Sequence, residues 1–289
     1  MEESTIIVTT NDGIDLHVYR WAPVGGKPKA AVQIHHGLAE HAGRYRRFGE
    51  ALTGAGYVVY APDQRASGRS AAGEYGNWGR DGWSGWVEDF ALVNARIRKD
   101  NPSLDVALIG HSLGSFGAQQ YLLEHSAEVA SVVLSGTGDV PALVPALTAE
   151  GPADLSAFNA PFEHRTGFEW LSRDAAEVDK YVADEACGWA AAMPSDLKTL
   201  MHAADVEAVK GIRDDLPILL VSGDQDPVGG AGGEGVQATA DRYKEAGLTD
   251  VMVKLYPQAR HELLNEINRD EVTADIIDFL DRTLAWLQS

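Results

Sequence analysis

The chain has 289 residues, of which 45% are hydrophobic and 23% are charged, so it can bury the core of one large α/β domain that carries an insertion. Its 24 basic and 43 acidic residues give a net charge of −19, which disfavours nucleic acids and anionic membranes as partners. The one cysteine, Cys187, excludes an intrachain disulfide and any zinc site built from several cysteines.

The N-terminal segment MEESTIIVTT has neither a basic start nor a long apolar run, and no stretch of about 18 apolar residues occurs in the chain. We therefore expect no secretory signal and no integral membrane segment. The cytoplasm is the expected location, and the sequence makes no prediction of the oligomeric state.

Short β-branched runs alternate with helical patterns along the chain. In chain order the predicted elements are a hairpin over STIIVTTNDGIDLHVYRW, a strand in AAVQIHHG, a helix in RYRRFGEALTGAG, a strand in YVVYAPD, a helix in WVEDFALVNARIRKDNP, strands in LDVALIG and VASVVLSG, strands in LPILLVSG and VMVKLYP, and a helix over 270–287 that buries Val272, Ile276, Leu280, Leu284 and Leu287. Runs that are apolar throughout indicate strands covered on both faces, hence a mostly parallel, twisted sheet flanked by helices.

The segment from 137 to 215 interrupts this alternation because it contains no convincing strand. Within it, SDLKTLMHAADVEAV has Ser195 as a candidate helix cap, and one helical face carries Leu197, Leu200, Met201 and Ala204. We predict an α/β core formed by residues 1–136 and 216–289, with residues 137–215 as a helical cap, or lid, inserted over the sheet.

The stretch Gly110-His111-Ser112-Leu113-Gly114 joins a predicted strand to a predicted helix. A G-x-S-x-G sequence in that context is typical of a nucleophile elbow, in which the serine stands on a sharp turn above the carboxyl ends of the strands. The two glycines let the strand and the helix pass close together, and the helix N-terminus directs amide groups towards a reacting oxygen. Ser112 is therefore the candidate nucleophile.

A serine hydroxyl needs a base to take its proton, and nine histidines are available. His261 is favoured because a four-residue loop separates it from the last predicted strand, which places it over the strand ends. Two acids just past another strand, Asp224 and Asp226, could orient its imidazole. The order along the chain would be Ser, Asp, His, as is typical of enzymes that carry such an elbow.

The elbow and four other segments of the sequence resemble the α/β-hydrolase family. Within that family they resemble the monoacylglycerol lipase and lysophospholipase branch, with its serine aminopeptidase S33-type domain. HHGLAEHAGRY is similar to HGxGEHxGRY, APDQRASGRS to D-x-RGHG-x-S, SGDQDPV to the G-x-x-D-x-V acid turn, and RHELLNE to H-E-x-x-x-E. The resemblance covers nearly the whole chain. The spacing of the family's acid turn implies Asp226 rather than Asp224.

The resemblance also implies roles for residues near the nucleophile. The backbone amides of Leu38 and Leu113 would form the oxyanion hole, and a polar pocket for a glycerol head group or small alcohol would contain Glu40, Arg44 and His111. For Glu40 and Arg44, an internal salt bridge that holds the loop is an equally weighted alternative, compatible with the first.

Three positions, Ala66, Ser67 and Ala39, depart from the family pattern, and Cys187 resists assignment. Ala66 and Ser67 stand where the family has Gly-His, from which we expect altered packing near the elbow rather than lost activity. Ala39 replaces a glycine, which predicts a stiffer loop behind Leu38. We interpret Cys187 as a small packing residue, because no base is predictably beside it.

The expected function is a serine hydrolase that cleaves monoacylglycerol or a similar single-chain carboxylic ester through an acyl-enzyme, with no metal or cofactor. The expected partner is a small lipid or ester substrate, and the cap leaves room for transient contact with a lipid surface. Alternatives are a general carboxylesterase, a hydrolase of short peptides or amides with the same fold, and a non-catalytic binding protein. A binding protein has no need of all three triad positions.

Overall fold

The protein is described by a computed structural model covering residues 1–148, 151, 153, 155–190 and 192–284. Its strands are β1 (Glu2–Thr9), β2 (Asp15–Ala22), β3 (Ala30–His35), β4 (Tyr57–Pro62), β5 (Val106–His111), β6 (Ser131–Ser135), β7 (Ile218–Gly223) and β8 (Val251–Tyr256). Its α-helices are α1 (Arg46–Gly54), α2 (Gly82–Asp100), α3 (Leu113–His125), α4 (Val140–Leu147), α5 (Ala175–Ala183), α6 (Val206–Val209), α7 (Glu234–Glu245) and α8 (Arg269–Leu284).

All eight strands form one sheet in the order β1-β2-β4-β3-β5-β6-β7-β8. β1 and β2 are antiparallel to their neighbours, whereas β4, β3, β5, β6, β7 and β8 run parallel, so the predicted, mostly parallel sheet is confirmed. Every residue of β3 to β7 is buried, as their apolar runs predict. β8 is only half-buried because it is an edge strand, and Met252 on it is 45% exposed.

Four α-helices lie where the sequence pattern predicts them, and one helix of the α/β core was not predicted. The patterns of α1, α2, α3 and α8 are confirmed, with the predicted Leu287 outside the described residues. α7 was not predicted, although Val236, Ala240 and Tyr243 on it are buried at helical spacing. No helix of the described residues is both long enough and apolar enough to span a membrane.

Between β6 and β7, the described residues form α4, α5, α6 and several 3₁₀ turns, and no strand. Residues Ser195–Ala204 form a 3₁₀ helix rather than the expected α-helix, and Pro194 rather than Ser195 occupies the cap position. With three residues per turn, the buried face falls on Leu197, Leu200 and Ala203, so Met201 is exposed.

A buried ion pair cluster joins the start of the chain to α2. The Arg65 guanidinium, 1% exposed, lies 3.0 Å from an Asp12 carboxylate oxygen and donates to both carboxylate oxygens of Asp89 at 2.7 and 2.8 Å. Breaking such a buried cluster from one side leaves charges without a partner. Arg65 therefore fixes the loop after β4 on the sheet.

We expect Arg65→Met to lower the free energy of unfolding by about 3–5 kcal/mol, because Asp12 and Asp89 lose their shared cation. The matched control is Arg96→Met, which removes a more exposed Arg96–Asp100 pair on α2 and should cost less than about 0.5 kcal/mol. Urea unfolding followed by circular dichroism measures both. Equal costs for the two variants would contradict the structural role of Arg65.

Candidate active site

The turn between β5 and α3 holds Ser112 in an unusual backbone conformation, with φ 51° and ψ −123°. Glycines make this possible: a Cβ atom on Gly110 would lie 2.5 Å from the Gly114 carbonyl oxygen, and one on Gly114 would lie 2.3 Å from the His35 carbonyl oxygen. The start of α3 therefore packs directly against the ends of β3 and β5. The sharp turn predicted from G-x-S-x-G is present.

Hydrogen bonds from α3 and β6 hold this turn. The Ser112 carbonyl accepts from the Ser115 amide at 2.8 Å, the Phe116 amide at 3.2 Å and the Ser115 hydroxyl at 2.6 Å. The Ser112 amide donates to the Ser135 carbonyl at 2.9 Å. A non-glycine residue at positive φ costs about 1–3 kcal/mol, and such bonds offset that cost.

His261 and Asp226 form a buried pair beside the elbow. The His261 Nδ1 lies 2.9 Å from each Asp226 carboxylate oxygen, and Asp226 also accepts from the Ser222 hydroxyl and the Val228 amide. Burial lowers the pKa of His261, but the attraction of Asp226 outweighs it, so the net pKa is raised above 6.5. Since Nδ1 donates to Asp226, Nε2 of the neutral ring is left as the acceptor.

Asp224 and Asp226 bind different partners. Its carboxylate accepts from the Gln258 amide at 2.7 Å, and its own amide donates to the Tyr256 carbonyl at 3.1 Å. It therefore braces the loop after β8, while Asp226 meets the imidazole of His261. Of the two acids left open by the residue pattern, the structure brings Asp226 to the histidine.

Ser112 and His261 line one cavity. A Cβ atom on Gly37 would lie 2.9 Å from the Ser112 Cβ, and one on Gly136 would lie 3.0 Å from the His261 Cε1, so only glycines fit on either side. No hydrogen bond joins the Ser112 hydroxyl to His261 within the described ranges. Such bonds are often loose before substrate is present.

The loop after β3 places Leu38 opposite the start of α3. The amides of Leu38 and Leu113 donate to no other group among the residues described, and both residues line the cavity with Ser112. Ala39 follows with φ 55°, and its carbonyl accepts from the Tyr181 hydroxyl and the Gly188 amide, both at 2.9 Å. Two free amides beside a serine suit an oxyanion hole.

Arg44 is held between two carboxylates below the cavity. Its guanidinium donates to Glu40 at 2.7 Å and to both carboxylate oxygens of Glu262 at 2.5 and 2.7 Å. Glu40 also accepts from the Gly37 amide at 2.6 Å and the Tyr45 hydroxyl at 2.9 Å. The salt bridge considered for Glu40 and Arg44 is therefore present, and it anchors the loop that carries Leu38.

Charges of opposite sign set the ionisation of this cluster. Burial alone would raise the pKa of Glu40, but the opposing effect of Arg44 and nearby histidines is larger. The net pKa of Glu40 is therefore lowered to about 2. Burial and the neighbouring His261 lower the pKa of His111 to about 4, so its ring is neutral at pH 7. The ring centroids of His111 and His261 are 4.8 Å apart.

The cavity of about 500 Å³, counting its open mouth, has an apolar wall and a polar end. The apolar wall contains Leu143, Leu147, Leu155, Phe158, Trp170, Leu171 and Val228. The polar end contains Glu40, His111, His261 and Glu262. Arg44 does not line this cavity itself, and lies in an adjoining polar pocket with Arg47 and Asn265.

Three contributors were not assigned roles from the sequence. Glu262 directly follows His261, and this adjacency is the signal that could have linked it to Arg44. Trp170 packs on the His261 ring with centroids 4.8 Å apart, and its carbonyl accepts from the His261 amide. Tyr181 reaches Ala39 across 142 residues, a contact that no local pattern indicates.

Ala66, a departure from the family pattern, and Cys187 occupy strained or unexpected surroundings. Ala66 takes φ 70° in the loop after β4 and packs in the core beneath α2. Cys187 packs against the cluster around Trp170 and Tyr181, as expected. Contrary to expectation, a base does lie beside it: His41 and Asp184 approach its thiol.

Comparison with known proteins agrees with this geometry. The family model described as serine aminopeptidase, S33, matches residues 26–268. A monoacylglycerol lipase from Mycolicibacterium smegmatis is 31% identical over 90% of this chain and 92% of its own, and a monoglyceride lipase from Mus musculus is 29% identical over 92% and 85%.

Among solved structures, a thermostable carboxyl esterase from Bacillus coagulans, crystallised with glycerol, superposes with a TM-score of 0.86 at 28% identity over 98% of this chain and 99% of that one. A lipase in an open form superposes with a TM-score of 0.83 at 27% identity over 98% and 99%. The predicted fold and enzyme class are confirmed, and the chain belongs to the serine aminopeptidase S33 family of α/β hydrolases.

Proposed function

We propose that the protein hydrolyses monoacylglycerol or a similar single-chain ester, with Ser112 as nucleophile, His261 as base and Asp226 as the orienting acid. The observation that carries this proposal is the buried His261–Asp226 pair in the same cavity as the strained Ser112. The relatives named monoacylglycerol lipase and the esterase crystallised with glycerol support the substrate class.

The reaction follows from the proton positions. His261 Nε2 takes the proton of the Ser112 hydroxyl as the oxygen attacks the ester carbonyl, and Asp226 stabilises the imidazolium that forms. The amides of Leu38 and Leu113 hold the negative oxygen of the tetrahedral intermediate. His261 then gives its proton to the leaving alcohol, an acyl-enzyme remains, and water, deprotonated by the same histidine, releases the acid.

The two ends of the cavity suit the two ends of such an ester. The apolar wall from the segment 140–171 matches an acyl chain, which gains about 0.8 kcal/mol for each CH₂ that it buries. The polar end, with Glu40 and His111 in contact distance of the cavity, matches an alcohol with hydroxyl groups. The second candidate is a general carboxylesterase that does not discriminate between alcohols. Arg44 already binds the carboxylates of Glu40 and Glu262, which leaves fewer hydrogen-bonding groups for the alcohol.

An aminopeptidase needs a carboxylate free to bind the substrate's ammonium group. Among the described residues, the carboxylates that line the cavity are Glu40 and Glu262, and both are bound to Arg44. The site therefore favours a neutral ester over a free N-terminus.

We also propose that residues 137–215 act as a cap whose apolar face meets the acyl chain and can touch a lipid surface. We propose lysophospholipids, which are also single-chain esters, as further substrates. We propose the cytoplasm as the location of the protein. The cap is tied to the histidine loop, since the Glu262 amide donates to the Leu171 carbonyl at 2.7 Å.

We expect Ser112→Ala and His261→Ala each to reduce ester hydrolysis by about 10⁴-fold or more, with the double variant little worse, because the two residues act as a unit. Hydrolysis of p-nitrophenyl esters measures the loss, and covalent labelling by a fluorophosphonate probe should disappear in Ser112→Ala. Activity within tenfold of wild type in either single variant would disprove the assignment.

The His261–Asp226 pair predicts a pH profile. A protonated His261 cannot accept the serine proton, so kcat/KM should fall as the pH is lowered through its raised pKa, with the midpoint above pH 6.5. Asp226→Asn should reduce kcat by about 10⁴-fold and move the midpoint to lower pH, because the raising charge is gone. Asp224→Asn is the matched control, and it should cost far less and leave the midpoint in place. The reverse ranking would transfer the role to Asp224.

The polar end predicts selectivity for the alcohol. We expect Arg44→Met and Glu40→Gln to reduce kcat/KM for monoacylglycerol by about tenfold to a hundredfold, and by less for the p-nitrophenyl ester of the same acid. The neighbouring Arg46→Met, which removes a half-exposed side chain, is the control and should affect neither substrate. Equal losses on both substrates would reduce Arg44 and Glu40 to a structural salt bridge and favour a general carboxylesterase.

A further inference from the structure

Three side chains with metal-binding atoms meet where the loop after β3 touches the chain after α5. His41 comes from the loop, and Asp184 and Cys187 come from the other side. One ligand atom from each lies within 4.8 Å of the other two, and His41 Nε2 is 2.9 Å from an Asp184 carboxylate oxygen. We propose that these three residues bind a divalent cation of the zinc class, such as Zn²⁺, Cd²⁺ or Co²⁺.

The donor set is one that Zn²⁺ prefers. A thiolate, an imidazole and a carboxylate are all common zinc ligands, and three protein ligands leave a fourth position for water. Together, one thiolate and one carboxylate balance the charge of a divalent ion. All three residues are half-buried, so a small ion can enter from solvent without the whole site opening.

Proton positions define what binding requires. His41 Nδ1 accepts from the Gly43 amide at 3.2 Å, so Nε2 carries the ring proton and donates to Asp184. A cation at Nε2 moves that proton to Nδ1 and ends the bond from Gly43. The thiol proton is released to solvent, so each bound ion displaces one proton.

The surrounding charges favour a cation at the sulfur. The carboxylates of Glu40, Asp184 and Glu262 all act on the Cys187 sulfur, and the Arg44 guanidinium is the opposing positive charge. Arg44 is itself bound to Glu40 and Glu262, which limits its repulsion of a second cation. Three carboxylates against one guanidinium leave a negative net charge around the sulfur, which stabilises a divalent cation there.

The proposed metal site lies between the proposed cap and the loop that carries Leu38, so a bound cation could affect catalysis. Tyr181 and Gly188 already bind the Ala39 carbonyl, and a metal would replace the His41–Asp184 hydrogen bond with coordination bonds that also include Cys187. Under the proposed function, such coordination should slow any movement of the cap. Cation binding itself does not depend on that function, so the two can be tested separately.

The test is a titration of the full chain with Co²⁺ in a non-thiol reductant. Because Cys187 is the one cysteine of the chain, thiolate-to-cobalt charge-transfer absorption can report on no other residue. We expect a band that saturates at one ion per chain and is displaced by Zn²⁺. Cys187→Ala should abolish it, and His41→Ala and Asp184→Asn should each weaken binding by at least about tenfold.

His125→Ala is the matched control, because His125 pairs with Glu128 at 3.2 Å on the far end of α3 and should leave the titration unchanged. Circular dichroism checks that each variant is folded, and ester hydrolysis by the metal-free protein tests the proposed function independently. Absence of the band in wild type would overturn the metal site. So would a band that persists at full affinity in both His41→Ala and Asp184→Asn, since Cys187 would then act without them.

Discussion

The strained turn at Ser112 is the constraint on which the rest of the site depends. Ser112 holds its positive φ where β3, β5 and α3 approach more closely than a side chain on Gly110 or Gly114 would permit. The loop after β3 also lies close to the elbow, since a Cβ atom on Gly37 would lie 2.9 Å from the Ser112 Cβ, and Leu38 lines the same cavity as Ser112. One close backbone contact thus positions both the proposed nucleophile and half of the proposed oxyanion hole.

The acid and histidine turns are held by equally tight backbone contact. A Cβ atom on Gly223 would lie 1.9 Å from the Ala259 carbonyl oxygen, so the ends of β7 and β8 carry their loops against each other. Asp224 braces that contact through the Gln258 amide, and this frees Asp226 to face His261. Two acids separated by one residue therefore divide structure from proposed chemistry.

The segment between β6 and β7 has two distinct relations to the site. Near His261 it is firmly joined, since Trp170 packs on the imidazole and Arg260 donates to the Glu169 carbonyl at 2.7 Å. Farther along the cavity its described residues contribute apolar side chains, such as Leu147 and Phe158. Directional hydrogen bonds make the first part a support for the histidine, while the apolar side chains of the second part suit the non-directional contacts of the proposed acyl chain.

Sequence patterns determined the eight strands, the elbow at Ser112 and the choice of His261, because strand burial and glycine spacing are local properties of the chain. They left Asp224 and Asp226 unresolved until the family resemblance favoured Asp226, since two acids in one loop look alike without their backbone directions. They also missed α7 and took Ser195–Ala204 for an α-helix, where packing chose a 3₁₀ spacing. Only the tertiary structure joined Glu262 to Arg44 and Cys187 to His41, because those pairs are distant in sequence and meet through the folding of separate loops onto one sheet edge.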